Sequence, residues 1–130
     1  MVIDTSALFA IEFAEPERAA FIAAIQAAPL RLMSTATAVE CAAVFAGRRP
    51  NVDPITIFDD HVRELEIEIL PLDDAQWRMA AAALGRFGKG RHPAKLSFGD
   101  SFAYALARVS GEPLLFKGED FALTDVARAI

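Results

Sequence analysis

The 130-residue sequence has a single cysteine, Cys41. An internal disulfide is therefore excluded, which fits a reducing compartment. Cys41 lies among Val39, Ala42, Ala43 and Val44. It reads as a small buried apolar residue rather than a catalytic thiol. No set of cysteines and histidines has zinc-ligand spacing, so a structural zinc site is not expected. No apolar run is long enough to span a bilayer. The N-terminal residues lack the basic stretch and long apolar segment of a signal peptide. A cytoplasmic protein with no membrane contact is the expectation. A basic excess is missing as well, because the net charge is -5. That argues against a plain nucleic-acid-binding surface. It does not argue against a carboxylate-built metal site, which is itself strongly negative and is offset by bound cations.

The hydrophobic fraction is 54% and the charged fraction 24%. Disorder needs the reverse balance. Residues 1–130 therefore read as one folded domain with one core. Short apolar segments alternate with helical patterns. Val2-Ile3 reads as a strand, followed by helices over 5–13 and 16–27, with Pro16 in the first turn of the second. Strands are expected at Leu30–Met33, Ile67–Leu70 and Leu114–Phe116. Helices are expected over 35–46, ending at Gly47, then from Pro54 to Glu66 and from Asp74 to Phe87. A last helix carries Phe98, Phe102, Leu106 and Val109 and ends at Gly111. Short strands separated by helices indicate a parallel sheet covered on both faces, an α/β fold.

In such a sheet the C-terminal strand ends share one edge, where ligands bind. Asp4 follows the first strand and Asp120 the last. Glu40 lies near the start of the helix after the second strand. Asp100 lies near the start of the helix before the fourth, and reaches the edge only if that helix crosses it. Each acid has an ordinary structural alternative. Asp4 suits a helix N-cap, and Thr37-Ala38-Val39-Glu40 matches a capping box. Asp100 suits a helix first turn, and Asp120 a turn. Their common edge is what points to chemistry. Hard cations such as Mg²⁺ or Mn²⁺ take oxygen ligands. Thr5 and Ser6 are candidates for orienting Asp4 or a metal-bound water, or for bonds at the helix start.

Four segments carry a family resemblance: Val2-Ile3-Asp4-Thr5-Ser6-Ala7, Thr37-Ala38-Val39-Glu40, Phe98-Gly99-Asp100-Ser101-Phe102-Ala103 and Leu115-Phe116-Lys117-Gly118-Glu119-Asp120-Phe121. With them the chain resembles PIN-domain nucleases, in particular the VapC-type toxins of bacterial toxin–antitoxin pairs, over essentially its full length. The resemblance implies a three-layer α/β/α PIN-like domain with a mainly parallel central sheet. It implies Mg²⁺- or Mn²⁺-dependent endoribonuclease activity, with Asp4, Glu40, Asp100 and Asp120 as metal-binding acids; Glu119 is not expected to be one. It also implies a homodimer and inhibition by a cognate VapB-type antitoxin. The alternative is a catalytically silent member of the same fold that binds RNA or protein.

Arg86, Lys89, Arg91 and Lys95 form the most basic stretch and are expected to contact RNA phosphates, an ordinary solvated loop being the alternative. His92 is expected to be a loop residue or phosphate contact, and Trp77 to pack in the core or at an interface. Leu8, Phe9, Ile11, Phe13, Phe21, Ile22 and Ile25 are more apolar side chains than one buried stripe requires. They are expected to line a groove for an amphipathic partner segment, or else to pack in the core or a homodimer interface.

Overall fold

The computed structural model describes all residues from Met1 to Ile130. The chain runs β1 (Val2–Ile3), α1 (Thr5–Glu12), α2 (Arg18–Ala27), β2 (Leu32–Ser34), α3 (Thr35–Arg48), α4 (Pro54–Glu64), β3 (Glu68–Leu70), α5 (Asp74–Phe87), α6 (Phe98–Ser110) and β4 (Leu114–Leu115). The four strands form one sheet in the order β3-β2-β1-β4, and every pairing is parallel.

That order dictates the layering. From β1 to β3 the chain steps one way across the sheet, and from β3 to β4 it steps back past β1. Right-handed crossovers taken in opposite directions place their helices on opposite faces. Side-chain alternation along the strands then feeds two cores. Ile3, Met33 and Leu115 point into one with Leu8, Ile25 and Phe45, beneath α1 to α4. Val2, Leu32 and Leu114 point into the other with Phe87, Leu96 and Leu106, beneath α5 and α6. This is the three-layer α/β/α arrangement with a parallel sheet. The expected single core is in fact two, because a sheet two or three residues deep still separates its faces.

Several boundaries differ from expectation for local reasons. β2 begins at Leu32 rather than Leu30, whose side chain remains 39% exposed. α2 begins at Arg18, two residues beyond Pro16. α3 continues through Gly47 to Arg48, because the backbone N–H of Arg49 still finds the Phe45 carbonyl at 2.7 Å. Asp53 caps α4 with Pro54 at its first position, and Gly111 closes α6 in the left-handed conformation with φ of 73°.

The apolar residues of the first two helices pack inward. Leu8, Ile11, Phe21 and Ile25 are buried, and Phe9, Phe13 and Ile22 lie partly buried against the same core. Core packing, rather than an open groove between α1 and α2, accounts for these side chains. Trp77 is 46% exposed; its indole N–H donates to Asp74 and its ring lies under Arg78, so it is not part of the core. Glu12 ties three elements together at the rim, bonding His61 of α4 at 2.8 Å and Arg49 after α3 at 2.7 Å. No helix is long and apolar enough to cross a membrane.

Phe45 is the hinge pin of the first core. It is fully buried, meets Phe9 edge to face at 5.4 Å between centroids, and stacks on His61 at 6.1 Å. Truncating it leaves a cavity that well-packed neighbours fill only partly. Phe45→Ala should therefore cost about 3–5 kcal/mol in urea unfolding, with an unchanged dependence on denaturant.

Candidate active site

Asp4 ends β1 and begins α1. Its carboxylate accepts from the backbone N–H of Ser6 at 2.9 Å and from the Ser6 hydroxyl at 2.5 Å. Its backbone N–H donates to the Leu115 carbonyl at 3.0 Å, so β4 fixes it from the other side. It is thus an N-cap, as its position suggests, and it is also buried where the strand order reverses. A capping group needs no burial, so the N-cap role alone does not explain its setting.

Glu40 is not in a capping box. Ser34 caps α3, its hydroxyl accepting from Ala36, so Thr37 lies inside the helix and Glu40 is released from the helix start. Its carboxylate accepts instead from the Thr5 hydroxyl at 2.8 Å, across from α3 to α1. It also rests on the backbone of α6. A Cβ added to Gly99 would stand 2.1 Å from Glu40 Oε1, so only glycine leaves this carboxylate its place. The capping box is real but lies elsewhere: the Ser97 hydroxyl accepts from the Asp100 N–H, and the Asp100 carboxylate accepts from the Ser97 N–H at 2.7 Å. The sequence Ser97-Phe-Gly-Asp100 carries that pattern. α6 therefore starts at the sheet edge, which supplies the route that Asp100 requires.

Three acids thus reach the same edge from three layers, near enough for their charges to act on one another: Asp4 from the sheet, Glu40 from the helices on one face, Asp100 from those on the other. Burial pushes the Asp4 carboxyl up to about 7, and the charges of Asp100 and Glu40 push the same way against the Ser6 hydrogen bonds. Burial, then Asp100, raises Glu40 as well, opposed by Thr5. Asp120 stands apart. It is exposed in the turn after β4 and contributes to neither shift. Nearby Cys41 is buried, and burial pushes its thiol up to about 12, so it is inert as a nucleophile.

A family model described as PIN domain matches residues 1–127. The chain belongs to the PIN-domain family. The relatives it resembles include a "Ribonuclease VapC" of Mycolicibacterium smegmatis, 46% identical over 129 residues, covering 98% of each chain. "Ribonuclease VapC30" of Mycobacterium tuberculosis is 44% identical over 129 residues, covering 98% of this chain and 96% of that one. Among solved structures, Mycobacterium tuberculosis VapC20, described as a Sarcin-Ricin loop cleaving toxin, superimposes with a TM-score of 0.75 at 15% identity. That match covers 97% of this chain and 95% of the other, and it shows the PIN fold.

Within this PIN domain the donor chemistry of the site suits a hard cation: oxygen only, three carboxylates, one of them buried with a raised pKa. No three of these side chains are gathered around a single point, because each is held by its own local donor, Ser6, Thr5 or Ser97. The fit is therefore one of donor type and placement at a common edge.

The basic residues divide. Arg86 pairs with Asp125 at 2.8 Å. The Tyr104 hydroxyl donates to the same carboxylate at 2.5 Å and Arg108 joins at 3.3 Å. Arg86 thus fastens the C-terminal segment to α5 and α6. Lys89, Arg91 and Lys95 are exposed and take part in no ion pair. His92 lies edge-on to Phe87 and accepts from the Ala94 N–H through Nδ1, so it is a loop-forming residue.

The buried Asp4 has a measurable signature. The folded chain holds the Asp4 proton between pH 3.8 and about 7, where the unfolded chain has released it. The folded state binds more protons across that window, so stability falls as pH rises through it. In chelator-treated protein the unfolding free energy should decline by a few kcal/mol, on the order of 1.4 per pKa unit, from pH 4 to 7. Asp4→Asn should remove most of that slope in urea titrations at each pH.

Proposed function

We propose that the chain is a metal-dependent endoribonuclease of the cytoplasm, the toxin of a toxin–antitoxin pair restrained by a VapB-type antitoxin. The observation that carries this reading is the placement of Asp4, Glu40 and Asp100 at one sheet edge, where burial and their mutual charges raise the first two carboxyls. The VapC ribonucleases at 44–46% identity support the substrate class. Asp4, Glu40 and Asp100, with Asp120 from the following turn, would hold Mg²⁺ or Mn²⁺. Such an ion supplies a water of lowered pKa and offsets charge building on the phosphate.

The chain's own residues do the rest. Ser6 fixes the Asp4 carboxylate by two bonds, and Thr5 fixes Glu40 by one. Both hydroxyls therefore orient acids, as second-layer groups at metal sites do. Gly99 leaves room for the Glu40 carboxylate against α6. Lys89, Arg91 and Lys95 present unpaired positive charge to RNA phosphates in an otherwise acidic molecule, with Arg86 left to its structural pair.

Wild-type protein should cleave single-stranded RNA in Mg²⁺ or Mn²⁺ and stop when the metal is chelated. Asp4→Asn should lower kcat/KM at least about 100-fold, the loss of ~2.7 kcal/mol of transition-state stabilisation. Equal cleavage by wild type and Asp4→Asn would expose a contaminant. RNA binding without cleavage by the wild type would make this a silent module.

A homodimer is the second element of the proposal, supported by the exposed apolar face of α3 and α6. Val39 is 70% exposed and Phe98 72%, beside a cleft of about 420 Å³ that also touches Ala43 and Phe102. Apolar surface so placed suits a second copy. Val39→Ser with Phe98→Ser should shift the wild-type dimer to monomer in sedimentation equilibrium; a dimer that survives both changes would move the interface elsewhere.

A further inference from the structure

The fourth acid, Asp120, sits in a segment with little to hold it. Gly118 has φ of 98°, and residues 118 to 120 are exposed. Gly118 and Glu119 border an open cleft rather than packing on protein. Within it, one turn bond, from the Ala122 N–H to the Glu119 carbonyl at 3.1 Å, is local, and its ties to the rest of the fold lie at its ends. At the far end Phe121 is buried on Phe116, 5.0 Å between ring centroids. At the near end stands Lys117.

Lys117 ties the start of α1 to the connection between α1 and α2. Its backbone N–H donates to the Ser6 hydroxyl at 2.9 Å, and that hydroxyl in turn donates to Asp4. Its ammonium group reaches past the other end of the helix to Glu15 at 2.8 Å and Glu17 at 3.1 Å. One residue thus bonds the start of α1 and the α1–α2 connection together, and these bonds fix the residue at the near end of the Asp120 segment. The two glutamates outweigh the single positive charge, so Lys117 presents no net cation to an RNA phosphate. A lone exposed ion pair contributes little; here one ammonium shared by two carboxylates adds to a backbone bond made by the same residue.

We propose that Lys117, clamped by Glu15 and Glu17, is a positioning residue that sets where Asp120 stands relative to Asp4. This rests on the metal-dependent ribonuclease reading above. Lys117 acts through Asp120 and touches neither RNA nor metal.

The test uses the full chain and four variants: Lys117→Met, Lys117→Arg, Asp120→Asn, and Lys117→Met with Asp120→Asn. Mn²⁺ binding is measured by calorimetry, cleavage of a single-stranded RNA as kcat and KM, and folding by thermal melting. Lys117→Met should stay folded, weaken Mn²⁺ binding and lower kcat by roughly 10- to 100-fold each, the usual range for groups that orient metal ligands. KM should hold within about twofold, because no phosphate contact is lost. Lys117→Arg should recover most of both losses, since it can bond the same glutamates. In the Asp120→Asn background Lys117→Met should cost little more, because both changes remove one function. A raised KM with unchanged kcat would make Lys117 a phosphate contact and overturn the proposal. Unchanged Mn²⁺ affinity, or losses that multiply in the double variant, would overturn it too. So would an unfolded Lys117→Met accompanied by a Lys117→Arg that folds but stays impaired. Wild-type protein that neither binds Mn²⁺ nor cleaves RNA would defeat the ribonuclease reading and the clamp together.

Discussion

A carboxylate taken out of water at the end of the central strand is the constraint on which this structure turns. Asp4 stands where β1 passes into α1, next to the strand by which the chain returns across the sheet. Removing a charge from water is costly unless donors replace the lost hydration. Ser6 supplies two of them, and the position of Ser6 is held in turn by β4 through Lys117. Thr5, beside it, reaches across to Glu40. Three consecutive residues thus commit the first helix to a fixed relation with both neighbouring elements. The cost is only partly met, since the Asp4 carboxyl is still raised to about 7. The site is thus a place where stability has been given up, as functional sites are.

Much of this was legible in the sequence, and for identifiable reasons. The short, mainly apolar segments of two to four residues, flanked by helical patterns, indicated the order of elements, because strands covered on both faces are mainly apolar. Asp4 and Asp120 were legible by their place after strands, whereas Asp100, in a helix before its strand, was not. Glu40 stood out as the only charged residue between Thr35 and Gly47. The capping pattern at Thr37 is misleading, since Ser34, directly before the helix, takes that role and a four-residue pattern does not reveal which hydroxyl is first. The pattern at Ser97 is equally visible in the sequence. It places Asp100, and so mattered more.

Contacts between distant segments were the part hidden from local patterns. Nothing near Arg86 announces Asp125 as its partner, and a cluster of basic residues looks uniform until the fold pairs one and leaves three free. The apolar residues of α1 and α2 are too many for a helix packed on one side only. Here α1 packs against both α2 and α3, so it is buried over more than one stripe, Ala7 and Ala10 as well as Leu8 and Ile11. Likewise Gly99 carries no mark in the sequence of the carboxylate that occupies the space beside it.

The acids come together from positions 4, 40 and 100, one from the sheet and one from each covering layer. Such a site exists only when both layers have docked. During synthesis the first two acids emerge long before the third, and β4, which anchors Ser6 through Lys117, comes after that. A ribosome-bound chain therefore carries no assembled carboxylate set until nearly all of it has been made. For a protein proposed to cut RNA, an unfinished chain therefore lacks the set of acids proposed for that reaction.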